Sequence, residues 1–246
     1  MLDRRDLLGK VMAKRPIFIP EYSGNAFVNR DNIDFHYYSG FAVVQKQKSI
    51  ASLHEAIHEK YGFKKILEVS SKSQDQLGID LSAFNLMMID KKLNKRFSVE
   101  CAFQSSKVFE YGGPFTDLLD RTSREAKKDQ RLKESGELLN FFFYGREWDL
   151  LPRTAFYDWL YINALNANPQ YHDDLSQYEA FTDIEFNPEK SINCQANSIA
   201  MFLSIKQKGL LDQVKNQDTF LKLHKMYESQ KKYPTIDDKS QIGMRF

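Results

Sequence analysis

The spacing of apolar residues along the chain changes several times, and each change predicts an element. Residues 15–20 (RPIFIP) and 35–44 (FHYYSGFAVV) are dense in β-branched and aromatic side chains and bounded by Pro, Gly and Asn, which predicts two short strands. From Gln45 to Tyr61 the rhythm becomes helical, with Ile50, Leu53, Ile57 and Tyr61 recurring on one face. Lys64–Ser70 (KKILEVS) then predicts a further strand, so residues 1–75 read as a small α/β portion.

Beyond the polar stretch Ser71–Gln76 the pattern is mainly helical. Ser98 is placed to cap a helix running to Phe109, and Tyr111-Gly-Gly-Pro114 supplies residues that stop it. Thr122–Glu137 predicts a charged amphipathic helix, and Thr154–Asn166 sets Phe156, Trp159, Leu160, Asn163 and Ala164 on one face. Asn187-Pro188-Glu189 predicts the opening of a last helix that runs to Lys208 and closes at Gly209. A polar, loosely held tail is expected after Ser229. The expectation is a mainly α fold: a helical domain over residues 76–246 with the N-terminal α/β portion packed on it as one compact unit.

Composition narrows the class. The 246 residues are 42% hydrophobic and 28% charged, an ordinary globular balance long enough for a full core. Lys and Arg number 35 against 33 Asp and Glu, a net charge of +2, too small to steer the whole protein toward nucleic acid, so an anionic ligand must be gripped locally. Cys101 and Cys194 are too few for a disulfide framework or a metal knuckle and fit a reducing compartment. The N-terminus, MLDRRDLLGKVMAKRP, has neither a signal-peptide core nor room for a span. A soluble cytoplasmic protein without a membrane partner is expected.

The window Phe97–Phe109 (FSVECAFQSSKVF) carries the most chemistry. On a helix, Glu100, Phe103, Gln104 and Lys107 share one stripe flanked by apolar residues, which turns an acid, an amide and an amine toward the interior. Glu100 and Lys107 would lie two turns apart, roughly 10 Å along the axis, so a ligand between them would account for both. The alternative is a solvated helix edge. Arg131 and the Arg146-Glu-Trp148 element add a phosphate fork and a stacking ring, and Lys127 and Lys128 read as a solvated face.

His54-Glu55-Ala-Ile-His58 matches the H-E-x-x-H pattern in which two His bind zinc and the Glu activates water. Against that reading, Tyr61 and Lys64 stand where the extended H-x-x-G-x-x-H motif has its Gly and its last His, and the next acid, Glu68, falls on the predicted strand only ten residues on. With Ile50, Leu53 and Ile57 buried, His58 faces solvent while His54 borders the core. No Gly-rich phosphate loop, G-x-S-x-G or C-x-x-C is present.

The segment Leu81–Leu86 (LSAFNL) followed by Val99–Lys107 (VECAFQSSK) resembles the NADAR, or YbiA-like, family, whose hallmark is a Glu-x-x-x-Gln-x-x-Lys helix after a short Ser/Asn/Phe segment. Ala126–Arg131 is similar to that family's A-x-x-x-G-R, with Gln130 in place of Gly. Arg146-Glu-Trp148 looks like its Arg/Trp element. Phe181–Leu203 is similar to its closing acidic segment and last helix, although the aromatic-Gly pair after the acid is absent, which leaves Asp183 and Glu185 as alternatives. The likeness covers roughly residues 80–205. SGFAVVQKQKSIASLH, LEVSSKS and AFTDIEFNPEKSINCQA look closer to one branch, the NADAR antitoxins paired with DarT-type toxins that ADP-ribosylate guanine in DNA.

That resemblance implies a mainly helical fold, no cofactor, and an ADP-ribosyl glycohydrolase that removes ADP-ribose from guanine bases of DNA, with a DarT-type toxin as functional partner. Breaking a bond from ribose C1 to a base builds positive charge on the sugar, and Glu100 is expected to stabilise it. Lys107 is expected to attack the anomeric carbon or to contact the ligand. Asp183, preferred over Glu185, would move a proton. Ser82, Asn85 and Gln104 would orient the ligand, Arg131 would clamp the diphosphate, and Phe103 and Trp148 would stack on a base. Core packing is the other role open to Trp148. Two rival readings are a zinc hydrolase built on His54, Glu55 and His58, and a non-enzymatic antitoxin that binds its toxin.

Overall fold

The computed structural model describes residues 10–90, 94–189 and 191–228; the tail expected after Ser229 lies outside them. The described chain is 43% helical and 23% strand, with three sheets. It is a mixed α/β fold, and the expectation of a mainly α protein is overturned. The strands that were not foreseen are short, three to six residues each, and several sit in runs whose apolar residues fit a helical period equally well. The chain divides into two compact units, one within Met1–Ser82 and Gln170–Lys208, the other within Ala83–Pro169 and Gly209–Phe246. This division does not coincide with the change of pattern at residue 75.

In the first unit β1 (Lys10–Pro20) and β2 (Val28–Tyr38) pair antiparallel over their whole length, from Lys10 opposite Tyr38 to Pro20 opposite Val28. The second predicted strand was placed too late. Gly40, at φ 130°, breaks the extended run, and Val43 and Val44 open helix α1 (Val43–Tyr61). Ile50, Leu53 and Ile57 of α1 pack with Ile17, Ile33 and Phe35 of the two strands. Gly62 ends the helix in the left-handed region, its N–H donating to the His58 carbonyl at 2.8 Å. Strand β3 (Ile66–Glu68) and the short helix α2 (Gln76–Asp80) follow; a Cβ on Gly78 of α2 would lie 2.0 Å from the Glu68 carbonyl oxygen, so only glycine allows the two to meet.

The chain returns to this unit through α7 (His172–Leu175) and β9 (Ala180–Thr182). β9 inserts between β1, to which it is antiparallel at Phe18 and Phe181, and β3, to which it is parallel, giving the order β2-β1-β9-β3. Helix α8 (Gln195–Gln207) is buried on nearly every face and packs on β1, β2 and β9. It begins later than the sequence suggests. The Asn187 side chain accepts the Glu189 N–H at 3.1 Å and its carbonyl accepts the Ser191 N–H, so Asn187-Pro188 makes a turn instead of a helix start.

The second unit opens with the hairpin β4 (Met87–Asp90) and β5 (Lys95–Ser98), leading into α3 (Val99–Ser105). Strand β6 (Lys107–Phe109) pairs with β7 (Leu138–Phe143), which turns through Tyr144 and Gly145, both at positive φ, into β8 (Arg146–Trp148). Between β6 and β7 a single predicted helix is two: α4 (Ser123–Lys128), held by a Thr122–Glu125 capping box, and α5 (Arg131–Glu134). The break falls at Asp129, whose carboxylate accepts the Arg131 N–H at 3.0 Å. Helix α6 (Ala155–Asn166) packs against α3, α9 (Leu211–Val214) and α10 (Gln217–Glu228). An aromatic core joins them: Phe156 stacks on Phe141 at 4.7 Å between centroids and contacts Phe103, Phe143 and Trp148. Among the described residues no helix is long and apolar enough to cross a membrane.

Candidate active site

The site in the second unit is built on the junction of β5, α3 and β6. Ser98 caps α3 by accepting the Cys101 N–H at 3.1 Å, and its hydroxyl lies 2.7 Å from that of Ser123, which donates to the Phe84 carbonyl. The Glu100 N–H donates to the Ala83 carbonyl at 2.9 Å and that of Val99 to Leu86. The Ser/Asn/Phe segment is thereby pinned to the first turn of the helix that carries Glu100. Asn85 in this segment is exposed.

The helix is shorter than its pattern predicts. The Ser105 and Ser106 hydroxyls both donate to the Ala102 carbonyl, at 3.0 and 2.6 Å, and the Ser106 carbonyl accepts the Phe142 N–H from β7. Lys107 is therefore the first residue of strand β6, and the spacing of two helical turns between it and Glu100 does not apply. Gly113, at φ 91°, passes so close that a Cβ there would lie 2.2 Å from the Lys107 carbonyl oxygen.

Glu100, Gln104 and Lys107 are 5, 6 and 2% exposed. The Gln104 Nε2 donates to Glu100 Oε1 at 2.9 Å, while Gln104 Oε1 is buried and accepts no hydrogen bond among the described residues. The Lys107 ammonium sits 5.0 Å from the centroid of Phe103, itself packed edge-on against Tyr157 at 5.3 Å. Burial lowers the Lys107 pKa to about 8, against an opposing pull from Glu100 and a smaller push from Lys127 in the same direction as burial. About one Lys107 in ten is then a neutral amine at pH 7. Lys127 is exposed, yet its ammonium reaches 3.7 Å from Glu100 Oε1 and lies 5.1 Å from the Phe84 ring. The sequence pattern favours a solvated face for it, and the structure sets its charged end beside Glu100. Its place one turn after the Thr122 cap, on the face of α4 that meets α3, is the signal that would have found it.

The other residues singled out in this unit have partners of their own. Arg131 is held by Asp129 at 2.8 Å and by a two-pronged contact to Asp117 at 2.8 and 3.1 Å, with its guanidinium 4.6 Å from the Phe115 ring. These carboxylates push its pKa further up. Trp148 is 1% exposed among Phe156, Trp159 and Phe220, and its Nε1 has no hydrogen-bond partner among the described residues.

The first unit holds Asp183, Glu185, Ser82 and the H-E-x-x-H segment. Ser82 is buried and donates to the Ile79 carbonyl at 2.8 Å. Glu185 is partly exposed and pairs with Lys46 at 3.2 Å. Asp183 follows β9, 7% exposed, and its Oδ1 accepts the N–H groups of Glu185 and Phe186 at 3.0 and 3.2 Å. Burial, and after it the nearby Glu68 charge, raise its pKa well above the carboxylate range. Glu68 of β3 joins this group through its bonds to Thr182 and Ile184. The signal for it was present, since an acid inside the apolar run ILEV must be buried with partners or be exposed by a bulge.

His54, Glu55 and His58 line an open groove of about 530 Å³ with Phe63, Lys64 and Ile66. His54 Nε2 lies 2.9 Å from Thr182 Oγ1, and His58 Nδ1 donates to the Phe63 carbonyl at 2.8 Å. Among the described residues no group of three His, Cys, Asp or Glu is arranged to hold a metal ion. Cys101 and Cys194 are both free and buried.

A family model described as DarT1-associated NADAR antitoxin matches residues 13–234. No curated protein matches the chain.

Proposed function

This chain belongs to the DarT1-associated NADAR antitoxins, and on that premise we propose that it removes ADP-ribose from guanine bases of DNA by hydrolysing the N-glycosidic bond. The observation that carries the reading is the Glu100–Gln104–Lys107 group: an acid, an amide and a desolvated amine, each more than nine-tenths buried, with an amide oxygen that has no partner among the described residues. Such a group costs stability unless a polar ligand completes it. A ribose hydroxyl can donate to Gln104 Oε1. Glu100 faces the positive charge that develops on the sugar as the base leaves, and a fixed carboxylate in a dry site favours that state most.

The neutral Lys107 amine attacks C1; the bond from C1 to the base nitrogen breaks and the base takes a proton from an acid. The resulting glycosylamine opens to an imine, and water adds to release ADP-ribose and the free amine. The family likeness implies Asp183 as the acid for the departing base, and a raised pKa suits that role. Near-zero net charge fits a short local grip on a flipped or unpaired base better than a long basic groove.

The test is incubation with an oligonucleotide carrying ADP-ribosylated guanine, read by mass. Unmodified oligonucleotide and ADP-ribose are expected with the wild type, and their formation is expected to fall at least about 100-fold in Glu100→Gln. Equal rates in the two proteins would overturn the reading. The antitoxin role also admits sequestration of the toxin by contact. Neutralisation that persists in the Glu100→Gln, Lys107→Met double variant would favour that alternative.

A further inference from the structure

The hydrogen bonds around Asp183 form a chain whose protons can be counted. With Glu68 ionised, Thr182 Oγ1 donates to Glu68 Oε2 at 2.7 Å, which uses the only proton the hydroxyl has. His54 Nε2, at 2.9 Å, must then be the donor to Thr182, so His54 is the neutral Nε2–H tautomer; burial lowers its pKa to about 4. The other Glu68 oxygen, Oε1, accepts the Ile184 N–H at 2.9 Å. In that form both oxygens of this 2% exposed carboxyl accept a hydrogen bond, which opposes the rise in pKa that burial imposes on it. The two bonds land on residues 182 and 184 and hold the backbone on either side of Asp183. Asp183 in turn uses only Oδ1 toward the Glu185 and Phe186 N–H groups.

Glu68 bonds to the residues on either side of Asp183, and repulsion between two such buried carboxylates disfavours ionising both; Glu68 accepts a bond on each oxygen, Asp183 on Oδ1 alone, and burial raises both pKa values. We propose that Glu68 is a positioning residue for Asp183: its carboxylate, held by Thr182 and Ile184 with His54 bonded behind Thr182, keeps the proton on Asp183 Oδ2 and fixes that group as a donor. This deepens the functional reading above and rests on it for the use to which the proton is put. The charged and titratable groups around the pair are accounted for. Glu185 adds a like charge, but Lys46 of α1 pairs with it; Cys194, before α8, stays a neutral thiol; Arg30 of β2 acts on Cys194.

The experiment follows the carboxyl carbons by NMR in protein labelled at the Asp and Glu side chains, with the Asp183 signal identified by its loss in Asp183→Asn. It needs no substrate. Asp183 is expected to be protonated at pH 7 in the wild type and to ionise at least tenfold more readily in Glu68→Gln, a fall of about one pH unit in its midpoint. Thr182→Val keeps the shape of the core and covers the case that Glu68→Gln does not fold. Losing the Thr182 bond makes Glu68 the better base, so the Asp183 midpoint again falls. With the ADP-ribosylated oligonucleotide, the alkaline limb of the kcat/KM profile is expected to move to lower pH in step, with KM unchanged. An ionised Asp183 at pH 7 in the wild type overturns the proposal, as does a midpoint unmoved in both variants. An inactive Asp183→Asn beside unmoved midpoints overturns the positioning role alone. Full activity in Asp183→Asn overturns the acid role itself, whatever the titrations show.

Discussion

Replacing Lys107 by Met separates what this side chain does for chemistry from what it does to stability. The ammonium is 2% exposed and its pKa falls from 10.5, the ordinary lysine value, to about 8. That displacement corresponds to about 3 kcal/mol of destabilisation carried by the charged form, at 1.36 kcal/mol per tenfold. The sign follows from proton counting. Below pH 8 both folded and unfolded chains hold the proton and the penalty is complete. Between pH 8 and 10.5 the unfolded chain still holds a proton that the folded chain has lost, so stability rises with pH. Methionine has nearly the same length and no charge to desolvate, and it keeps contact with Phe103. Lys107→Met is therefore expected to stabilise the chain at pH 7 by up to about 3 kcal/mol, a rise in Tm of about 6–12 °C, while abolishing release of ADP-ribose. By pH 10.5 the gain should shrink below about 1 kcal/mol. Thermal and urea unfolding at both pH values measure it. A variant less stable than wild type at pH 7, or a gain that is the same at pH 10.5, would refute the placement of a desolvated amine at this position.

Three further outcomes follow from the geometry. Gly113→Ala must accommodate a Cβ 2.2 Å from the Lys107 carbonyl oxygen at a φ of 91°, so a loss of at least about 2 kcal/mol in urea unfolding is expected, with activity falling beyond what the loss of folded protein explains. His54 is neutral when folded, with a pKa near 4 against 6.5, so stability is lost as pH falls from 6.5 toward 4, by up to about 3 kcal/mol; in His54→Gln, whose amide can still donate to Thr182, that slope should flatten, and parallel curves for the two proteins would contradict it. Arg131→Ala breaks partly exposed ion pairs and is expected to cost no more than about 1 kcal/mol, while raising KM for the ADP-ribosylated oligonucleotide if the guanidinium leaves its aspartates to meet the diphosphate; an unchanged KM would remove Arg131 from the binding residues.

The parts of the fold legible in the sequence were those with a long, one-sided pattern. Ile50, Leu53 and Ile57 marked α1 and its buried face, and Ser98 marked the cap of α3. What was hidden depended on pairing partners far along the chain. Lys107 fits a helical stripe by spacing, yet two back-bonding serines and the approach of β7 convert it to the first residue of a strand. Strand β9 is three residues long and owes its existence to two neighbours from the other end of the sequence. The acid, amide and amine were named from spacing and family likeness. The role of Glu68 is not legible locally, because it lies in bonds to Thr182 and Ile184, more than a hundred residues away.

The most direct measurement is borohydride trapping during turnover of the ADP-ribosylated oligonucleotide, followed by peptide mapping by mass. Reaction through the buried amine predicts a reduced ADP-ribose adduct on Lys107 that is absent from Lys107→Met. Turnover that proceeds with no adduct on Lys107, in a wild type that releases ADP-ribose no faster than Lys107→Met, would contradict it.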